Sequence, residues 1–109
     1  MTSFSEREKA FEAKYKNDQE LQFKVVNRRN KLLGLWAAEL MGLDGVAADL
    51  YAKEVVAADF ERPGHDDVIE KIVADFAARG TDVTEHKVRR QLDDLHSVAV
   101  DQIRAESMK

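Results

Sequence analysis

The sequence predicts an all-α protein: a four-helix bundle over residues 21–109 preceded by a separate N-terminal segment, residues 1–20. Three observations carry that expectation. Five Gly and one Pro are the only strong helix breakers, and they fall at Gly42 to Gly45, at Pro63-Gly64 and at Gly80 with Thr81-Asp82, which divides the chain into four helical stretches. No run alternates β-branched and polar residues between turn signals, and pairs such as Val25-Val26 and Val55-Val56 sit inside helical patterns. A chain that is 44% hydrophobic and 35% charged has the mixture of amphipathic helices rather than that of disorder.

The N-terminal segment is set apart by its broken stripe. Phe4, Phe11 and Tyr15 share one helical face by spacing, but the face continues through Asp18 and Gln22, within the polar run Lys16-Asn17-Asp18-Gln19-Glu20. Burying three aromatics contributes roughly 1.5–3 kcal/mol each. Ordering about twenty residues costs on the order of 20–40 kcal/mol of backbone entropy, which helix hydrogen bonding brings only to near balance. Ser3 with Glu6, and Ser5 with Glu8, fit a capping box and supply a preferred start. The expectation is a segment disordered or partly formed when free, and helical when a partner covers its rings.

The stretch that follows keeps one apolar stripe through Leu21, Val25, Leu32, Trp36 and Leu40, with Arg28-Arg29 and Asn30-Lys31 expected beside it as polar surface. From Val46 to Phe60 the apolar groups (Val46, Leu50, Tyr51, Val55, Val56 and Phe60) cover a broad arc, which predicts neighbours on more than one side, and Pro63 ends the stretch. The third helix puts Val68, Ile69, Ile72, Val73, Phe76 and Ala77 on one face, with Asp66 and Asp67 set favourably against the helix dipole and Gly80 as a left-handed stop. In the fourth, Thr84 is a good N-cap, Val83 can staple onto Val88, and Leu92, Leu95, Ala99 and Ile103 continue the face.

Chemistry is scarce along this scaffold. Seventeen Lys and Arg against twenty-one Asp and Glu give a net charge of −4 and a pI near 5.4, which disfavours nucleic-acid binding. There is no Cys, hence no disulfide, thiolate zinc site or thiol nucleophile. Charged Glu6-Arg7-Glu8-Lys9 stands where a secretory leader would be apolar, so a cytoplasmic protein is expected. The most apolar stretch, Leu32 to Leu43, is shorter than a membrane helix and interrupted by Gly34, Glu39 and Gly42, so no membrane insertion is expected.

His65, His86 and His96 include no i, i+4 pair, so no metal site is expected. His65-Asp66-Asp67 reads as dipole compensation at a helix start rather than as a cation site. No serine has a nucleophile-elbow context, and no Gly-rich phosphate loop occurs. The sequence therefore predicts no enzyme and no cofactor. Trp36 reads as core, not as a ligand stacker. Arg28, Arg29 and Lys31 form the local basic cluster, and two readings stand: a solvated helix face, or a contact for an acidic partner surface or the phosphate of ATP or ADP. Arg7, Lys9, Lys14 and Lys16 alternate with Glu6, Glu8 and Glu12. Beside Phe4, Phe11 and Tyr15 they make a candidate recognition strip.

Three segments then become recognisable: F-x-x-R-E-K-A-F-E-A-K-Y from Phe4 to Tyr15, R-R-N-K-L-L-G-L-W-A-A-E-L-M-G from Arg28 to Gly42, and Y-A-K-E-V-V-x-A-D-F-E-x-P-G from Tyr51 to Gly64. Over essentially its whole length the chain resembles the zeta subunit family, small bacterial inhibitor proteins of the F-type ATP synthase. The resemblance implies a four-helix bundle with an N-terminal inhibitory region that enters the catalytic head of the synthase at an interface of alpha and beta subunits, within reach of gamma. There it blocks rotation and inhibits ATP hydrolysis. By motif position that role falls on Phe4, Arg7, Lys9, Phe11, Lys14 and Tyr15, with residues 16–19 as the hinge. The same resemblance implies a cytoplasmic protein peripherally associated with the membrane-bound synthase. A nucleotide-sensing helical module, binding ATP or ADP through Arg28, Arg29 or Lys31, is the alternative.

Overall fold

Asp18 starts the bundle. In the computed structural model, which describes residues 10, 13, 18–61 and 65–107, Asp18 is extended (φ −109°, ψ 105°). Its carboxylate accepts the backbone N–H of Glu20 at 2.9 Å and of Leu21 at 3.3 Å, which satisfies donors that a helix start leaves open. From this cap α1 runs over Gln19–Leu40, followed by α2 (Gly45–Glu61), α3 (His65–Ala78) and α4 (Glu85–Ser107). The described residues contain four complete helices and no strand.

Two helix ends use the same device. After α1, Gly42 donates to the Glu39 carbonyl at 3.1 Å and Leu43 to that of Ala38 at 2.8 Å. After α3, Gly80 donates to Ala77 at 3.3 Å and Thr81 to Phe76 at 2.8 Å. Both glycines are left-handed, at φ 80° and 70°, the conformation this six-to-one closure requires of the residue just past the cap. At the start of α4, Thr84 Oγ1 accepts from Lys87 N–H at 3.2 Å, the expected N-cap.

Among the described residues the interior divides into two clusters. The larger joins all four helices: Leu33, Ala37 and Ala38 of α1, Tyr51 and Val55 of α2, Val68, Ile69, Ile72 and Phe76 of α3, and Val88 and Leu92 of α4. Trp36 packs against it, edge-on to Phe76 with ring centroids 6.1 Å apart, so it is core as read. The smaller cluster belongs to two helices, Leu21 and Val25 of α1 against Ala99 and Ile103 of α4. Between Val25 and Leu33, α1 buries Arg29 and Asn30 instead of apolar groups.

Two sequence-derived faces are corrected by this packing. On α1 the buried positions advance in fours through Leu21, Val25, Arg29, Leu33 and Ala37, while Leu32 and Trp36 are half-buried flanks and Leu40 is exposed. The cause is Gly34: a Cβ there would lie 2.7 Å from Ala52 Cα, so α1 and α2 touch backbone to backbone. Small residues hold that line, and larger side chains are turned aside. Arg29 and Asn30, expected on the polar surface, are 8% and 0% exposed, because they occupy the same inward-facing stripe.

On α2 the arc is narrower than expected. Tyr51, Ala52 and Val55 are buried, whereas Val46 and Leu50 are 74% and 55% exposed, since among the described residues α2 packs chiefly on α1 and α3. The faces of α3 and α4 follow the reading, with Val68, Ile69, Ile72, Phe76, Val88, Leu92, Ala99 and Ile103 buried. Ala77 at the edge of the α3 face is exposed.

Candidate functional site

The recognition strip, Phe4, Arg7, Lys9, Phe11, Lys14 and Tyr15, lies outside the described residues. What the structure describes is the mount to which it joins: the Asp18 cap, the first turns of α1 and the neighbouring end of α4. The basic cluster lies just beyond, and α1 directs its three cations in three ways. Successive helical residues rotate by about 100°, so Arg28, Arg29 and Lys31 cannot share one outlook.

Arg28 reaches across to α4. Its Nη1 donates to Gln102 Oε1 at 2.9 Å, and its Nη2 donates to both carboxylate oxygens of Glu106 at 2.8 and 3.1 Å. This guanidinium clamps the end of the two-helix seam formed by Leu21, Val25, Ala99 and Ile103. Arg29 turns inward, and its Nε and Nη2 donate to Asn30 Oδ1 at 3.2 and 3.1 Å. Across the seam on α4, burial and then the Arg29 charge push the pKa of His96 below its ordinary value, with Asp93 opposing. Burial and the neighbouring cation both favour the neutral imidazole.

Lys31 is exposed and lies on an open cleft of about 490 Å³ between α1 and α2, with Lys53 and Asp49 at its rim and Ala52, Val56 and Ala57 as apolar lining. Of the sequence-derived cluster, Lys31 is the residue that lines this cleft of ligand size. Lys53 is the residue sequence reasoning missed. It stands twenty-two positions from Lys31, and only the α1–α2 crossing brings the two together.

A second polar group, also unforeseen, ties α2 to α3. Tyr51 Oη donates to Asp75 Oδ2 at 2.7 Å, and Lys71 Nζ donates to the same oxygen at 3.0 Å. Lys71 also lies 3.5 Å from Glu54 Oε2 and 5.3 Å from the centre of the Tyr51 ring. Burial, then the hydrogen bond to Asp75, pushes the Tyr51 phenol far above its ordinary range. A phenol held protonated in this way is a structural donor, not a base or nucleophile. The i, i+4 spacing of Lys71 and Asp75 was visible in the sequence, but their meeting with Tyr51 was not.

Among the described residues no cluster of three or more His, Asp or Glu side chains is placed to hold a metal ion. None of the described helices is long and apolar enough to cross a membrane.

Comparison with known proteins decides the family. The family model for ATPase inhibitor subunit zeta matches residues 1–102, the strip and the bundle together. The chain belongs to the zeta family of ATPase inhibitor subunits. A protein solved in solution by NMR is 45% identical, and the match covers 79% of this chain and 98% of that one with a TM-score of 0.70. No curated protein matches. Family membership makes the chain an ATPase inhibitor, a regulatory subunit rather than an enzyme, whose partner is the ATP synthase.

Proposed function

We propose that residues 1–17, the expected segment 1–20 less the residues 18–20 that cap and open α1, are the inhibitory arm, which enters a catalytic alpha/beta interface of the synthase head as a helix, stops rotation and so blocks ATP hydrolysis, while the bundle stays outside as its anchor. The observation that carries this reading is the fresh helix start at Asp18. The bundle's first helix is capped by its own residue there and, among the described residues, draws its buried side chains from Leu21 onward.

A wedge between subunits that open and close in turn binds one rotational state in preference to the others and shifts the population towards it. Moving such an equilibrium from 1:99 to 99:1 takes about 5.5 kcal/mol of differential affinity. Burying three aromatic rings at roughly 1.5–3 kcal/mol each is of that order, which is why the rings rather than the surrounding charges carry the proposal. In the cell the protein is then peripherally associated with the membrane-bound synthase.

The test is hydrolysis by the isolated synthase head, titrated with the full chain and with a variant lacking residues 1–17. The deletion keeps Asp18 and therefore the α1 cap. Inhibition lost with the bundle still folded supports the arm; an unchanged inhibition curve refutes it.

A second reading is favoured by the cleft between α1 and α2. Lys31 and Lys53 present two ammonium groups over an apolar lining, a combination suited to the phosphate and base of ATP or ADP. Nucleotide titration followed by backbone amide shifts tests it. Shifts centred on Lys31 and Lys53 support nucleotide sensing, and shifts absent from that cleft remove it.

A further inference from the structure

The polar layer between the two apolar clusters contains an arrangement that the inhibitory role does not use. Asn30 is fully buried. Its Oδ1 accepts two hydrogen bonds from the Arg29 guanidinium, and this fixes the carboxamide: the oxygen faces Arg29 and Nδ2 faces away. Among the described residues Nδ2 has no hydrogen-bond partner, and neither has the buried Oδ1 of Asn27. One atom is a donor in need of an acceptor, and the other is an acceptor in need of a donor.

The two residues are three apart on α1, so they share a face with their Cβ atoms about 5–6 Å from each other. We propose that a single water molecule is bound inside the bundle between Asn27 and Asn30, accepting from Asn30 Nδ2 and donating to Asn27 Oδ1. Such a water makes a hydrogen bond of about 2.9 Å on either side. The pairing also selects the ligand: a chloride cannot donate to Asn27 and a sodium ion cannot accept from Asn30, whereas water does both.

The position explains why the site is tolerated. It lies where Val25 of the smaller cluster gives way to Leu33 of the larger, so neither apolar cluster is interrupted. Asn27 also lines an open cleft shared with Phe23, Lys24, Arg28 and Glu106, which gives the water a route in and out. The bound water completes the polar layer from α1 alone, without asking α4 for a partner.

The test uses the full-length, 15N-labelled chain and water-selective NOE and rotating-frame spectra at the Asn30 side-chain amide. The expected result is a rotating-frame cross-peak to water of the sign opposite to chemical exchange, with the NOE sign of a bound rather than a passing molecule. Asn27→Leu deletes the acceptor and should abolish that peak while leaving the Arg29 Nε resonance in place. Asn27→Asp keeps the acceptor and should retain it. A wild-type chain without a bound-water peak overturns the proposal, as does a peak that persists undiminished in Asn27→Leu or disappears in Asn27→Asp. If Asn27→Leu does not fold, the wild-type and Asn27→Asp spectra decide the matter by themselves.

Discussion

Gly34→Ala sets helix propensity directly against packing. Propensity favours the substitution by about 1 kcal/mol, because alanine in a helix interior has less backbone freedom to lose. The crossing of α1 and α2 opposes it. A Cβ at position 34 would stand 2.7 Å from Ala52 Cα and 3.2 Å from both Cβ and Cγ2 of Val55. Restoring ordinary contact with the Ala52 backbone, which begins at 3.4 Å, requires the helices to part by roughly 0.7 Å or more. No rotamer relieves this, because the obstacle is main chain.

A gap of that size forfeits a quarter to a half of each dispersion contact across the seam. For some forty atom pairs at about 0.15 kcal/mol each the loss is about 1.5–3 kcal/mol, in line with measured overpacking costs. Net of the propensity gain, Gly34→Ala should destabilise the bundle by about 0.5–2 kcal/mol, a fall of roughly 3–10 °C in Tm for a domain of this size. Thermal and urea unfolding followed by far-UV circular dichroism measures it. A melting temperature equal to or above that of the unaltered chain would show that α1 and α2 do not meet at this glycine, and the reasoning from close approach would fail.

Three further outcomes are expected. Native-state hydrogen exchange should be faster along the seam of Leu21, Val25, Ala99 and Ile103 than through the four-helix cluster around Leu33, Ile72 and Phe76, because two helices bury less than four; Arg28→Ala, which removes the Gln102 and Glu106 contacts, should widen the difference, and uniform protection would contradict it. His96 has a folded-state pKa below its ordinary 6.5, so its contribution to stability is complete above that value and declines as pH falls through it; His96→Gln should flatten the urea midpoint between pH 7 and pH 5, and a slope unaltered by the substitution would remove His96 as the cause. Phe4→Ala with Phe11→Ala should weaken inhibition of the synthase head far more than Lys31→Ala with Lys53→Ala, and the reverse ranking would move the inhibitory contact from the arm to the cleft.

Much of the architecture was legible because its signals are local. Gly80 announces a left-handed stop whatever lies around it, and Thr84 caps α4 with an oxygen three residues from the donor it satisfies. Val68, Ile69, Ile72 and Phe76 mark one face of α3 because the opposite face is polar. The site was less legible. Arg28, Arg29 and Lys31 are neighbours in sequence, but the helix separates them into a clamp to α4, a buried guanidinium and a cleft wall. Lys53 and the meeting of Tyr51 with Asp75 left no local trace, since each depends on a helix supplied from elsewhere in the chain.

The sequence by itself determined the helical class, the breaks between helices, the Gly80 stop and the Thr84 cap and, through three recognisable segments, the family. Those features rest on contacts within a few residues, where spacing and side-chain type suffice. Only the tertiary structure decided which face of α2 turns inward, that Arg29 and Asn30 are buried between two apolar clusters, and that Gly34 rather than a large side chain holds the α1–α2 crossing. The physical reason is the same in each case. A helix apolar on several sides, or one whose inward stripe includes polar groups, has no preferred orientation until a neighbour packs against it, and how closely that neighbour approaches is fixed by the smallest residue at the crossing.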